Sequence, residues 1–264
     1  MWLWIHKLSS APHAYRILGR LRLWLLWLSV PLMITAVVGG LWLVPMDYQQ
    51  KDAFRIFYVH VPIAALSSGI YILMATAAAI GLIWRMKVAF AVAAAAAPIG
   101  ASFTALTLVT GSIWGRPMWG TWWTWDVRIT TELILLFLYL GYIALRNSFD
   151  DDVGRGDRTA SVLAIAGSID VPIIKYSVVW WKILHQGSTV LKFARPSMDG
   201  SMLWPFLIML PAVTMYVGAV LCIRVQTEIL KRERNARWLH DYVRLAEPGS
   251  DRSREVPAAS NQSH

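Results

Sequence analysis

Six runs of the chain are almost wholly apolar: residues 23–44, 60–84, 88–114, 129–145, 159–179 and 203–223. A helix needs about 20 such residues to cross the hydrocarbon core of a bilayer. Lipid offers no partner to an unpaired backbone group, so each run is read as a spanning helix. The pattern predicts an all-α polytopic membrane protein with six transmembrane helices. The first run is uncharged and is followed by no convincing small-residue cleavage site, which marks it as a retained helix rather than a signal peptide.

Composition supports the same class. Of 264 residues, 56% are hydrophobic and 16% charged, and the mean hydropathy is +0.47. Those values exclude an ordinary soluble domain and a disordered chain alike.

The net charge of +9 bears first on topology, because Lys and Arg collect on the cytoplasmic side of membranes. Four lie in the N-terminal arm, two in the turn at Arg85 and Lys87, three in the loop 146–158 and eight in the tail from Arg224, or 17 against 8 in the other three loops. Both termini are therefore expected in the cytoplasm and the loop 115–128 outside, with the tail's first bases and the basic N-terminus carrying the asymmetry.

The expected organisation is a cytoplasmic N-terminal arm (1–22), a six-helix transmembrane domain (23–223), a basic cytoplasmic helix (224–245) and a disordered tail (246–264). The basic segment mixes Val225, Ile229, Trp238, Leu239 and Tyr242 with many bases. It reads as a helix lying against anionic headgroups or as a solvated one. The tail has almost nothing apolar to bury.

Between the third and fourth runs the chain reads GRPMWGTWWTWDVR, with four tryptophans from Trp119 to Trp125 followed by Asp126. Interfacial tryptophan is ordinary in membrane proteins, and that accounts for Trp84, Trp114 and Trp204. It accounts poorly for four within seven residues, whose indoles call for a flat apolar partner. On a helix Trp119, Trp122, Trp123 and Asp126 would fall at i, i+3, i+4 and i+7 and share one stripe.

Of six histidines, His6 and His13 lie in the N-terminal arm and His240 and His264 in the tail, which leaves His60 and His185 outside. Imidazole is a common ligand of haem iron, and two from different loops can take its opposite faces. Each alone also reads as a hydrogen-bonded residue at a helix end. Paired with the indole cluster, they point to haem as the planar ligand.

Arg116 and Arg128 bracket the loop, either to hold the two propionates in bidentate fashion or to anchor lipid headgroups. Asp126 is expected to cap the helix that follows, or else to orient a donor in the loop. The lone Cys222 lies in an apolar run, and no C-x-x-C-H is present, so the haem would be a non-covalent haem b. No G-x-x-x-x-G-K-[ST] occurs either, and coupling to ATP would need a separate subunit.

Together, WGTWWTWDVRITTEL, FRIFYVHVP around His60 and PIIKYSVVWWKILHQGS around His185 resemble the haem exporter protein C family of cytochrome c maturation, whose hallmark is the tryptophan-rich WWD domain. The resemblance runs from the first span to the sixth. It implies an inner-membrane, non-enzymatic subunit that binds haem on the periplasmic side through His60, His185 and the WWD loop, with Trp119, Trp122, Trp123, Trp125 and Asp126. The partners it implies are a periplasmic haem chaperone, the ATPase and membrane subunits of an ABC transporter, and a small membrane-anchored accessory subunit. Larger WWD relatives that attach haem to apocytochrome carry more histidines and more spans.

Two other readings compete. A b-type membrane cytochrome would use the same ligands for electron transfer, but usually pairs histidines within its spans. A general small-molecule permease would carry merely interfacial tryptophans and no haem.

Within the spans, Asp170 and Lys175 flank Pro172, and ionisable groups at that depth should face the bundle interior. Glu132, one turn into the fourth span, is a candidate neighbour for either. The run AVAAAAAPIGAS in the third span offers small residues for close helix packing, with a kink expected at Pro98.

Overall fold

The computed structural model describes residues 10–149, 152–181, 185, 190 and 197–246. Among them every regular element is helical, apart from one isolated bridge between Asp47 and Lys51. Six spans are long and apolar enough to cross a membrane: Ala11–Leu43, Asp52–Trp84, Lys87–Trp119, Val127–Asn147, Val153–Trp180 and Gly200–Arg232. Helix α1 is Ala11–Val38, continued by a π-helical turn at Gly39–Leu43, and a 3-10 turn at Asp52–Ile56 leads into α2, Phe57–Trp84. Then follow α3 (Lys87–Trp119), α4 (Val127–Asn147), α5 (Val153–Gly167), α6 (Asp170–Trp180), α7 (Gly200–Arg232) and α8 (Arg237–Ala246).

Several helices begin earlier than the apolar runs suggest. Residues 11–22 of the expected arm already belong to α1, which starts behind Ser10 with a proline in its first turn, where a missing N–H costs nothing. At the other end, α7 continues unbroken past Arg224 to Arg232, so the expected basic helix is the end of α7 followed by the separate α8. Residues 247–264, the rest of the expected tail, lie outside the described residues, as do 1–9.

The chain divides into two compact units, Met1–Ile229 and Leu230–His264. In the smaller unit, Trp238 Nε1 donates to Glu233 Oε2 at 3.1 Å across the turn before α8.

Helices α2 and α3 share the most extensive helix–helix contact of the larger unit. Small residues allow it: Ala91 and Ala93 through Ala97 on α3 are all buried. Gly100, one turn further on, lies so close under the ring of Tyr139 from α4 that a Cβ there would overlap it. In a membrane, where apolar surface gains little by leaving lipid, such close approach supplies the dispersion contacts that join helices.

The fifth span is not one helix. It breaks at Ser168 and Ile169 into α5 and α6. Pro172 is the physical cause, since a proline lacks the N–H for an i−4 bond and its ring collides with the carbonyl one turn back. The helix restarts at Asp170, which puts Pro172 in the first turn, where the chain tolerates it. Asp170 is buried, with one carboxylate oxygen wholly enclosed, as its place in a span requires.

At the end of α4, Arg146 joins three helices. Its Nε donates to Asp157 of α5 at 3.0 Å and its Nη2 to Glu228 of α7 at 2.8 Å.

Candidate functional site

Gly120, at φ +76°, ends α3 just after Trp119, its N–H bonded to the Arg116 carbonyl at 3.1 Å. A left-handed residue in that position stops a helix and turns the chain away. Residues 121–126 are therefore non-helical, and the expected stripe of Trp119, Trp122, Trp123 and Asp126 on one helix face does not form. Trp122 and Trp125 are exposed, whereas Trp123 is half-buried and meets Trp125 edge-on at 5.4 Å.

Asp126 does both things considered for it. As N-cap of α4 its Oδ1 accepts the Ile129 N–H at 3.0 Å, which satisfies one of the four orphan donors of a helix start. Its Oδ2 accepts the Thr124 hydroxyl at 3.0 Å and stands 3.2 Å from Nδ1 of His185. The carboxylate thus ties the segment after α6 to the first turn of α4.

His185 packs edge-on against Trp119 with ring centroids 4.6 Å apart. Burial pulls its pKa below the ordinary imidazole value, opposed by the Asp126 charge and reinforced by that of Arg128. The neutral ring, the form that can ligate a metal, is thereby favoured.

His60 occupies the first turn of α2, which runs from Phe57. Its Nδ1 lies 2.9 Å from the Thr110 hydroxyl of α3, and its Cε1 rests over Gly111, where a Cβ would come within 3.2 Å. Trp114 meets the same imidazole edge-on at 5.5 Å, and its Nε1 donates to Gln50 at 3.0 Å.

Both histidines line one cavity of about 380 Å³, inside the range of about 300–1,000 Å³ usual for small-molecule sites. It lies between α2, α3, α4 and α6, with Trp114, Met118 and Trp119 among its apolar walls. Three ionisable groups join the histidines on its surface: Arg128 and Glu132 from α4 and Lys175 from α6. Glu132, an expected neighbour of the other buried ionisable groups, accepts the Ser67 hydroxyl of α2 at 2.8 Å. Arg128 reaches toward the Ile174 carbonyl at 3.5 Å.

Sequence reasoning named nine site residues, and the fold separates them. His60, His185, Trp119 and Arg128 line the cavity, with Asp126 bonded directly behind His185. Trp122, Trp123, Trp125 and Arg116 are not among the lining residues. Arg116 is exposed and turns back to donate to the Gly120 carbonyl.

Trp114, assigned above to the ordinary aromatic belt, is instead a wall of the cavity. The signal for it was a helical stripe placed upstream of the loop: Thr107, Gly111, Trp114 and Met118 follow at i, i+4, i+7 and i+11 on α3, and all four face the cavity. Lys175 was marked by its charge within a span, whereas Gln50 and Thr110 carried no comparable signal.

The model of a family described as heme exporter protein C matches residues 4–240. Heme exporter protein C of Escherichia coli strain K12 is 45% identical over 251 residues, covering 92% of this chain and 98% of its own. The proteins of that name from Haemophilus influenzae and Bradyrhizobium diazoefficiens are 45% and 42% identical, each over 240 residues and 90% of this chain, and 97% and 89% of their own lengths. A match along nearly the full length, to a chain of six spans whose second to fifth line a cavity with two imidazoles, settles the family: this protein is a member of the heme exporter protein C family.

Proposed function

We propose that this chain is the haem-handling subunit of a haem export system for cytochrome c maturation, holding haem non-covalently in the cavity shared by His60 and His185. Haem export is the role named by the family description and by the relatives. The observation that carries the residue-level reading is the convergence of two histidines, 125 positions apart in the chain, on one cavity walled by indoles. Imidazole from each side suits a six-coordinate haem b iron, and flat aromatic walls suit a porphyrin.

Haem is the cargo here, so its site needs capture without permanence. Neutral imidazole provides a bond that a competing ligand can replace, and no cysteine stands near to make the attachment covalent. Arg128 and Lys175 supply the positive charge that propionates require. That leaves Arg116, exposed beside the loop, for headgroups or a partner. Trp122 and Trp125, exposed outside the cavity, suit a surface that a recipient covers on haem transfer.

The excess of Lys and Arg at the chain ends favours cytoplasmic termini and a periplasmic cavity in the inner membrane. On that reading haem is presented for loading onto a periplasmic haem chaperone. ABC transporter ATPase and membrane subunits, together with a small membrane-anchored accessory subunit, complete the system.

The test is direct. His60→Ala and His185→Ala, each purified in detergent as the full chain, should lose most of the haem absorbance per protein. An unchanged ratio in both variants overturns the axial assignment, and a cavity facing the cytoplasm in accessibility labelling overturns the orientation.

A further inference from the structure

Thr110 stands behind His60 rather than in the cavity wall: its neighbours Leu108, Gly111 and Ser112 line the cavity and it does not. Its hydroxyl carries one proton. That proton has two backbone acceptors on the same helix, the Leu106 carbonyl at 2.7 Å and the Thr107 carbonyl at 3.3 Å. The Leu106 contact is the shortest of the three, and a proton donated there leaves the oxygen to face His60 Nδ1, 2.9 Å away, as an acceptor. Nδ1 must then bear the imidazole proton, and in a neutral ring that leaves Nε2 with its lone pair.

We propose that Thr110 is a positioning residue for haem: it fixes the tautomer of His60 in which Nε2 is the metal ligand, and with Gly111 it sets the ring's place over α3. The inference rests on the haem-ligand reading of His60 given above. Thr110 acts through His60 alone and touches no cargo. The arrangement answers the one at His185, where a carboxylate instead of a hydroxyl holds Nδ1. In both, a second group orients the imidazole, as ligating histidines require.

The test uses the full chain in detergent, titrated with haemin, with Thr110→Val, Thr110→Ser and His60→Ala beside the unaltered protein. Valine keeps the shape of threonine without its hydroxyl. It should weaken haem binding about 10–100-fold and shift the remaining bound haem from six-coordinate low-spin to five-coordinate high-spin in absorption and electron paramagnetic resonance spectra. Serine restores the hydroxyl and should restore both. If the valine variant does not fold, Thr110→Ala takes its place with the same expectation. A hydroxyl-free variant with unaltered affinity and a low-spin spectrum overturns the role of Thr110 when His60→Ala still loses haem. Should His60→Ala itself bind haem normally, the ligand reading fails first, and the two failures are distinct.

Discussion

Asp126 offers a clean separation of fold from function, because its two oxygens do different work. Oδ1 caps α4 through the Ile129 N–H, and Oδ2 faces His185 Nδ1. Asparagine caps a helix about as well as aspartate, whereas alanine forfeits about 1 kcal/mol of cap energy. Losing the group that orients a ligating histidine typically weakens metal binding about 10–100-fold, or about 1.4–2.7 kcal/mol. Asparagine has a single amide oxygen. Turned to the Ile129 N–H it keeps the cap, and the NH2 that replaces Oδ2 is a donor that cannot accept from Nδ1. Asp126→Asn should therefore melt within about 0.5 kcal/mol of the unaltered protein yet show the binding loss in full. Asp126→Ala should show a similar binding loss together with the cap penalty. Haemin titration by absorption and thermal melting in one detergent measure the two quantities on the same samples. An asparagine variant that binds haem within twofold of normal refutes the orienting role of Oδ2 at His185. One that destabilises as much as alanine refutes the cap.

Gly111→Ala should push the His60 ring by a few tenths of an ångström, because the added Cβ would lie 3.2 Å from Cε1. A displacement of that size should weaken haem binding about 3–10-fold, while helix propensity favours the alanine, so a variant that loses stability instead contradicts the geometry. Arg146→Ala deprives Asp157 and Glu228 of their shared guanidinium. Melting should report a loss of about 3–5 kcal/mol with haem bound per folded molecule unchanged, and a shift below about 1 kcal/mol would remove this triad as a structural clamp. As pH falls, haem retention should stay level from pH 8 to the ordinary imidazole value of about 6.5 and decline only beyond it. The sign follows from burial, which depresses the His185 pKa: protonation opposes both ligation and the folded loop, and sets in later than for a free imidazole. Dissociation already under way between pH 8 and 7, followed by absorption, would contradict a buried His185.

The six spans were legible because lipid makes apolar run length nearly sufficient to define a helix. Their ends were less so. The extension of α7 past Arg224 and of α1 back to Ala11 comes from helix continuity beyond the lipid, where hydropathy carries no signal. The break at Ser168 and Ile169 was written in Pro172, but the sequence offered no reason to prefer a break over a kink. At the site, His60 and His185 stood out because the topology expected from Lys and Arg left only those two histidines outside. The error lay in extending helical periodicity across Gly120, a residue whose usual role is to end it. Trp114 was passed over because it sits where an interfacial tryptophan is ordinary, and only the positions of Gly111 and Met118 around it reveal a wall.

The polar groups at the cavity also hold its walls together. Glu132 bonds Ser67, joining α4 to α2; His60 bonds Thr110, joining α2 to α3; Trp114 bonds Gln50, joining α3 to the segment before α2. Arg128 reaches α6 at Ile174, and Asp126 holds His185. In lipid a polar side chain left without a partner is costly, so each of these groups needs its tie whether or not haem is present. The cavity is thereby assembled in advance, and on the proposed function cargo would meet ligands already oriented, which lowers the ordering cost of capture. The same economy couples function to fold. A substitution at the cavity removes an interhelical link as well as a contact, so haem loss in any such variant identifies a ligand only when the folded fraction is measured beside it. The isosteric changes at Thr110 and Asp126 are informative because they leave helix packing in place while altering what faces an imidazole.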